Sequence, residues 1–363
     1  MSCDYASGLS DYADKGVCGQ PEQFDDASLL DDKIARLADW MQSSKHVVVI
    51  TGAGISTSAG IPDFRGPNGV WTLEQKGEKP TLNISFDDAV PTPTHMALVA
   101  LAERAKLQFL VSQNVDGLHL KSGFPLDTLA DLHGNMFVDR CNQCRRQFIR
   151  DTATRTVGQK PTGESCPVPK RNGRLCRGRL HDSILDWEDE LPEDAIEAAD
   201  AHCRVADLVL CLGSTLQIVP CGTLPLLAKK SAGKIIVCNL QPTKLDKSAN
   251  LILRAYVDDV MTKLMAKLGI DIPSYSPGRD PTKGKRELPP VYPRLRLPKV
   301  AKALGSGRRP KQRTKKPQKR ASVKDDAKDN LKKLIKAEEP TETSLVLVKE
   351  SVENDPLLAD VTG

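Results

Sequence analysis

The chain has 363 residues, 39% of them hydrophobic and 27% charged, with a formal net charge of +5 at neutral pH. That length suits one large or two modest domains, and no apolar run approaches the roughly eighteen residues that a membrane helix needs. The opening MSCDYASGLSDYADKG lacks the basic-then-apolar layout of a secretory signal. With ten unevenly placed cysteines, the expectation is a reduced intracellular compartment in which some cysteines bind metal. The charge is segregated. Residues 299–320 carry ten Lys or Arg and no acid, residues 298–336 sum to +12, residues 337–363 to −6, and residues 1–297 to −1. A nucleic-acid footprint is therefore expected in the tail, not in the nearly neutral body.

In chain order, residues 32–44 place Ile34, Leu37, Ala38 and Met41 on one helical stripe, with Asp31 and Asp32 suited to the helix start. Val47 to Ile50 reads as a short buried strand. Thr51, Gly52, Ala53 and Gly54 then turn the chain, and Ile55 to Ala59 is expected to open a helix whose free N–H groups point back at the turn. A glycine turn before a helix N-terminus is a dinucleotide site in outline, although a turn made only for packing uses the same residues. The dehydrogenase fingerprint is not met. Thr57 stands where the third glycine belongs, Gly60 falls three later, and Glu74, at the distance of the ribose-binding acid, lies in no strand-like run. Directly after come Asp63, Phe64 and Arg65, an acid, an aromatic and a guanidinium that a packing turn does not require.

Residues 66–93 read as one long loop carrying Trp71. Thr94 is expected to cap a helix with Leu98, Leu101, Ala102 and Ala105 on one face. Phe109 to Ser112 is the next buried strand, and Gln113, Asn114, Val115, Asp116 and Gly117 stand at its carboxyl end, where open α/β sheets bind ligands; an Asn/Asp/Gly turn has the same composition. Leu132, His133, Gly134 and Asn135 follow. Cys141 and Cys144 make a C-x2-C knuckle, and Cys166 and Cys176 form a wider second pair, a set suited to a tetrahedral structural zinc. Cys203, Cys211 and Cys238 lie in or beside apolar runs and read as buried thiols, while Cys3, Cys18 and Cys221 have no assignment. Leu208 to Leu212 and Ile235 to Cys238 are further buried strands. Val257, Val260, Met261, Leu264 and Leu268 give a closing amphipathic helix. From about residue 274, proline, glycine and basic residues take over, so 274–363 is expected to be largely disordered.

Several of these stretches resemble the sirtuin family of NAD-dependent protein deacylases: GAGIS with GIPDFR, GVWT, QNVDGLH over Gln113 to His119, LHGN, GSTLQI and NLQPT. The loop 66–93, shorter than in most sirtuins, the wide second cysteine pair and the ILDWE stretch resemble the sixth branch of that family. The resemblance runs from about residue 1 to 275. It implies an α/β fold, a Rossmann-like parallel sheet over 31–273 with a small zinc module inserted at about 139–185, preceded by an N-terminal segment 1–30 and followed by the tail.

It also implies NAD as cofactor, held by Ala53, Gly54, Thr57, Asp63, Phe64, Arg65, Trp71, Gln113 and His133. Asn114 and Asp116 lie at the nicotinamide riboside end, Gly213 and Thr215 near the adenosine phosphate, Asn239 and Gln241 near the adenosine ribose, and the backbone at Val257 touches adenine. His133 becomes the general base, a role for which imidazole has the unperturbed pKa; Trp187 lines the acyl-lysine channel or packs at the domain junction. The implied zinc on Cys141, Cys144, Cys166 and Cys176 is structural. The implied reaction transfers the acyl group of a protein lysine, in histones above all, to give nicotinamide and O-acyl-ADP-ribose. Two other readings compete: ADP-ribosyl transfer to protein from the same pocket, and a chromatin-binding module whose NAD site is regulatory. The basic run 299–320 has no aromatics for base stacking and reads as a nuclear import address, with contact to chromatin DNA beside it. No membrane partner is expected.

Overall fold

The computed structural model describes residues 5, 8–80, 84–169, 173–284 and 293–299. All belong to a first compact unit, Met1–Gly307; the second, Arg308–Gly363, lies outside them, and with it nearly all of the basic run and Cys3.

Six parallel strands form the central sheet: β1 (Val47–Thr51), β2 (Phe109–Ser112), β3 (Leu129–Asp131), β8 (Leu208–Leu212), β9 (Lys234–Cys238) and β10 (Leu251–Leu253). Their order is β10-β9-β8-β1-β2-β3, with Val49 beside Leu110 on one side and Leu210 on the other. Every residue of β1, β2 and β8 is buried. That is why these strands are continuous apolar runs: a parallel sheet is covered on both faces. One face is covered by α1 (Ala27–Ser43), α3 (Pro93–Glu103) and α6 (Val257–Leu268), through Ile34, Leu37, Met41, Leu98, Val260 and Leu264. The other is covered by α5 (Glu193–Val205) and a run of 3-10 turns over Cys221–Ser231. The stripes expected on α1 and α6 are the ones that pack. Cys203, Cys211 and Cys238 are buried thiols as expected, and Cys221 joins them.

Between β3 and α5 the chain leaves the sheet. It builds a four-stranded antiparallel ribbon from β4 (Val138–Cys141), β5 (Gln147–Ile149), β6 (Pro161–Ser165) and β7 (Arg179–Asp182), in the order β5-β4-β7-β6. A separate apolar cluster with Ile61, Phe86, Val115, Phe137 and Ile184 fills the junction between ribbon and sheet.

Several local expectations need correction. The helix expected over Ile55 to Ala59 is two 3-10 turns, Ala53–Ile55 and Thr57–Ala59, broken at Ser56; three-residue turns carry little of the dipole that an α-helix offers a phosphate. α1 starts earlier than residue 32, because Asp26 accepts the Leu29 N–H at 2.9 Å and caps it. α3 is capped by Thr92 in a box with His95, not by Thr94. The expected loop 66–93 contains α2 (Val70–Gln75), whose Trp71 is buried. The body also runs past residue 273: Asp280 and Thr282 are buried, Leu295 packs against an apolar layer, and Arg296 donates to the Asp127 carbonyl at 2.8 Å. Proline and glycine spacing hid these contacts because they rest on isolated side chains without periodicity. Among the described residues, no helix is long and apolar enough to cross a membrane.

Candidate active site and metal centre

Parallel pairing brings Thr51, Ser112, Leu212 and Cys238 to one edge of the sheet. The strand order reverses beside β1, so that edge opens a crevice where α/β sheets hold ligands. Sequence-marked residues converge there from four turns. Gly54 donates to the Gly213 carbonyl at 2.9 Å, and a Cβ on Gly54 would stand 2.8 Å from the Gly213 Cα. The glycines thus let two turns meet backbone to backbone, besides leaving room for a ligand. Gln113 Nε2 donates to Ser214 Oγ at 3.0 Å and ties β2 to the same pair.

A cleft lies beside this junction, lined by the polar Ser56, Gln113, Asn114 and Asp116 together with Ala53 and the apolar or aromatic Ile61, Phe64, Val70, Phe86 and Tyr5. The Asn114 amide donates to the Gly52 carbonyl at 3.1 Å. Asp116 accepts from Ser56 Oγ at 2.7 Å and from the Leu118 N–H at 2.8 Å. Burial pushes the Asp116 carboxyl up, and those two hydrogen bonds only partly pull it back. His133 Nδ1 lies 2.9 Å from the Gln113 carbonyl. A carbonyl can only accept, so Nδ1 carries the proton and Nε2 keeps its lone pair. Burial lowers the His133 pKa and so favours the neutral ring, against the opposing effect of that bond. The histidine does not line the cleft itself; it hangs from Gln113, which does.

The remaining predicted residues frame the crevice. Thr57 Oγ1 donates to the Gly54 carbonyl. Asp63, its carboxyl raised by burial, accepts the Gly66 N–H. The Arg65 guanidinium lies 4.5 Å over Trp71, and the Arg65 carbonyl accepts from Gln241 Nε2 at 2.9 Å. Asn239 Nδ2 donates to the Gln241 carbonyl at 2.8 Å, and Arg254 Nη1 donates to both the Asn239 and the Gln241 carbonyls. Thr215 accepts from Lys244 through its carbonyl. The Val257 side chain packs in the apolar layer under α6. Trp187 is part of an aromatic group: it stacks on Tyr12 at 5.3 Å and meets Trp71 at 5.3 Å.

Sequence reading missed Tyr5, Tyr12, Phe86 and Arg254. It also missed the role of segment 8–25, which crosses the crevice. Ser10 Oγ donates to Asp186, and Trp187 Nε1 to the Ser10 carbonyl. Val17 and Gln217 exchange two hydrogen bonds. Gln20 accepts from Gln241, and Gln23 donates to the Leu240 carbonyl. Partners so distant in sequence leave no local pattern to read.

In the ribbon, the ligand atoms of Cys141, Cys144, Cys166 and Cys176 lie within 4.8 Å of one another. The pairs Cys141–Cys176 and Cys144–Cys166 are 3.8 and 3.6 Å apart. A tetrahedron with metal–sulfur bonds of about 2.3 Å has edges of about 3.8 Å, so the residues present fit zinc. The Gln143 and Cys144 N–H groups both point at the Cys141 sulfur at 3.4 Å and favour its thiolate. Four thiolates leave no open position, so this centre is structural.

The sequence profile of the Sir2 family matches residues 78–220. The chain is 54% identical over 290 residues to the NAD-dependent protein deacetylase Sirt6 of Drosophila melanogaster, covering 79% of this chain and 92% of that protein. The chain belongs to the Sir2 family. This sirtuin is also 49% identical over 276 residues to the NAD-dependent protein deacetylase SRT1 of Arabidopsis thaliana, spanning 76% of its own length and 57% of the relative's. Human sirtuin-7 shares 41% over 277 residues, 72% of this chain and 66% of that one. The solved structure of Sir2Tm bound to a propionylated peptide superposes with a TM-score of 0.51 at 26% identity, over 66% of this sirtuin and all of that chain. The sirtuin is an NAD-using enzyme of a protein deacetylase family, built as a Rossmann-like sheet with an inserted four-cysteine module.

Proposed function

We propose that this sirtuin removes acetyl and longer acyl groups from lysines of histones and other chromatin proteins in the nucleus. The products are nicotinamide, free lysine and O-acyl-ADP-ribose. The observation that carries the reading is the presence, in one cleft, of the polar Ser56, Asn114 and Asp116 together with the apolar Ile61, Phe64, Val70 and Phe86. An acyl chain suits the apolar residues and a ribose the polar ones. NAD, when bound, supplies a leaving nicotinamide and a ribose hydroxyl to receive the acyl group. Asn114 and Asp116, each fixed by two partners, orient that end of the cofactor. Neutral His133, its proton pinned on Nδ1, takes the hydroxyl proton at Nε2. Asn239 and Gln241, braced by Arg254, hold the adenosine ribose. The sequence adds the reason for chromatin: a tail segment with ten basic residues and no acid over 299–320 attracts phosphate and serves as an import address.

Incubation with NAD and histone H3 peptides carrying acetyl or myristoyl lysine, with products identified by mass spectrometry, tests this reading. O-acyl-ADP-ribose with both peptides is expected. ADP-ribose fixed on protein without deacylation would replace the reading with ADP-ribosyl transfer. NAD binding without turnover would leave a chromatin-binding module.

A further inference from the structure

Lys121 is buried to 1% exposure one helical turn after the Asn114–Asp116 loop, at the end of α4 (Leu118–Lys121). Its ammonium donates to three backbone carbonyls of one neighbouring stretch: Phe86 at 2.6 Å, Asp87 at 3.1 Å and Ala89 at 2.9 Å. An ammonium has three protons and no acceptor, so this set uses them all, on backbone and not on a carboxylate. The charge also lies 4.6 Å from the Phe137 ring centre. A buried cation is costly unless its hydrogen bonds are complete, and these bonds are complete only while the carbonyls of Phe86, Asp87 and Ala89 converge. The same stretch carries the fully buried Phe86 side chain, which lines the same cleft as Asn114 and Asp116 and packs 6.2 Å from Tyr5. At its far side Asp87 accepts the Ala153 N–H at 2.7 Å. The loop is thus fastened to the catalytic segment at one point, by Lys121, and to the ribbon's side at another.

We propose that Lys121 is a positioning residue that sets acyl-chain selectivity: by drawing the 86–89 backbone toward α4 it fixes the depth of the cleft at Phe86. It touches neither cofactor nor substrate. The proposal rests on the reading that the acyl chain enters this cleft. With the clamp intact the wall at Phe86 is fixed and a short acyl group is held against it. Without the clamp the wall yields, so a short group loses its contact while a long one gains room.

The test compares Lys121→Met, which keeps the length of the side chain and removes its charge and donors, with Lys121→Arg and wild type. Each is assayed with NAD on one peptide sequence bearing either acetyl or myristoyl lysine. In Lys121→Met the ratio of kcat/KM for myristoyl over acetyl is expected to rise about fivefold or more, within the range that hydrophobic pockets discriminate. Lys121→Arg should restore the wild-type ratio. Phe86→Ala should shift the ratio the same way with Lys121 in place. Equal losses on both peptides in a folded Lys121→Met protein would overturn the proposal, because a purely structural role lowers both together. A wild type that deacylates neither peptide would instead defeat the functional reading. The clamp itself is then decided by hydrogen exchange of the 84–90 amides, which needs no turnover: exchange unchanged in Lys121→Met overturns it. Should Lys121→Met not fold, Lys121→Gln, with two donors left, is measured in its place. An intermediate ratio and intermediate exchange support the proposal, and wild-type values overturn it.

Discussion

The sheet and the ribbon of this sirtuin are held together by different chemistry. The sheet is flanked by two apolar layers, and whole strands within it are shielded from water; each fully buried Val, Leu or Ile contributes about 1.5–3 kcal/mol. The ribbon's own cluster consists of Cys141, Phe148, Cys166, Cys176 and Leu180, so three of its five members are metal ligands. Its outer strand β6 is almost wholly exposed. The ribbon replaces an apolar core with four thiolates, as small domains without enough chain to bury commonly do. Yet His133, the proposed base, sits at the seam. Leu185 donates to the His133 carbonyl at 3.1 Å, and Ser183 exchanges hydrogen bonds with Asn135. A Cβ on Gly134 would stand 2.0 Å from the Ser183 carbonyl oxygen, so only glycine admits the chain leaving β7 this close. The less self-sufficient region therefore holds the more delicate residue in place.

The contrast can be broken most forcefully through the metal. Cys141→Ser or Cys166→Ser, or stripping with a strong chelator, should unfold the ribbon, because structural zinc supplies on the order of 10 kcal/mol of folding free energy. Activity should vanish through the 183–185 contacts while the sheet stays folded. Metal analysis together with a retained sheet signature in circular dichroism checks this; wild-type protein purified without chelator and lacking stoichiometric zinc would contradict it. His133→Ala should leave both regions folded, the metal bound and NAD binding largely intact, while turnover falls about 10²–10⁴-fold. Wild-type turnover in that variant would remove the base from His133. Leu210→Ala, in the middle of β8, should cost the sheet about 2–5 kcal/mol and release no zinc, seen as a lower urea midpoint at unchanged metal content.

Protonation gives a smaller and graded effect. Burial lowers the pKa of His133, His119 and His46, takes His95 to about 3, and His202 to about 4. A histidine whose folded pKa lies below its unfolded value near 6.5 favours the fold only while neutral. That stability is full above about pH 6.5 and is lost as pH falls toward the folded values. Denaturant titrations should show stability level from pH 8 to 7 and declining from about 6.5 to 4. The depressed His133 also predicts that kcat/KM holds to lower pH than an unperturbed imidazole would allow. A fall in activity already between pH 7.5 and 7 would contradict the shift. The smallest effect belongs to the tail. Ending the chain after residue 299, not after 273, keeps Asp280, Thr282 and the Arg296 contacts. Turnover of free peptides should then change less than about twofold, within the range of surface changes. DNA binding should lose its steeply salt-dependent part, and equal affinity of cut and full chains across a salt series would place the footprint on the folded body.

Legibility in the sequence followed the same division. β2 and β8 could be bounded to the residue because a strand buried on both faces is a continuous apolar run between turn residues. The cysteine ligands were legible from spacing, since two knuckles must present four sulfurs to one point. The 3-10 turns at Ala53 and Thr57 were not, because Ile55 to Ala59 has helix-compatible residues and only the meeting with Gly213 decides its path. Thr92 and Thr94 are both good caps, and His95, completing the box, selects the first. Trp71 in a helix was hidden among glycines. Lys121 gave no signal at all, since its partners are carbonyls, which every residue carries, and Arg254 gave none because the Asn239 and Gln241 carbonyls and the Asp246 carboxylate it joins follow no local spacing.

Segment 8–25 has a consequence for biosynthesis. Ser10 waits for Asp186, 176 residues on, and Asp25 waits for the Arg254 backbone, 229 residues on. At about 5–20 residues per second, that second interval lasts roughly 10–45 s of translation. During it the segment has only its near partners, Lys33, Arg65, Trp71 and Glu74, while α1 and the early strands have already emerged. The piece that leaves the ribosome among the earliest is thus among the last to settle, and it closes over a crevice that the rest of the chain has finished building.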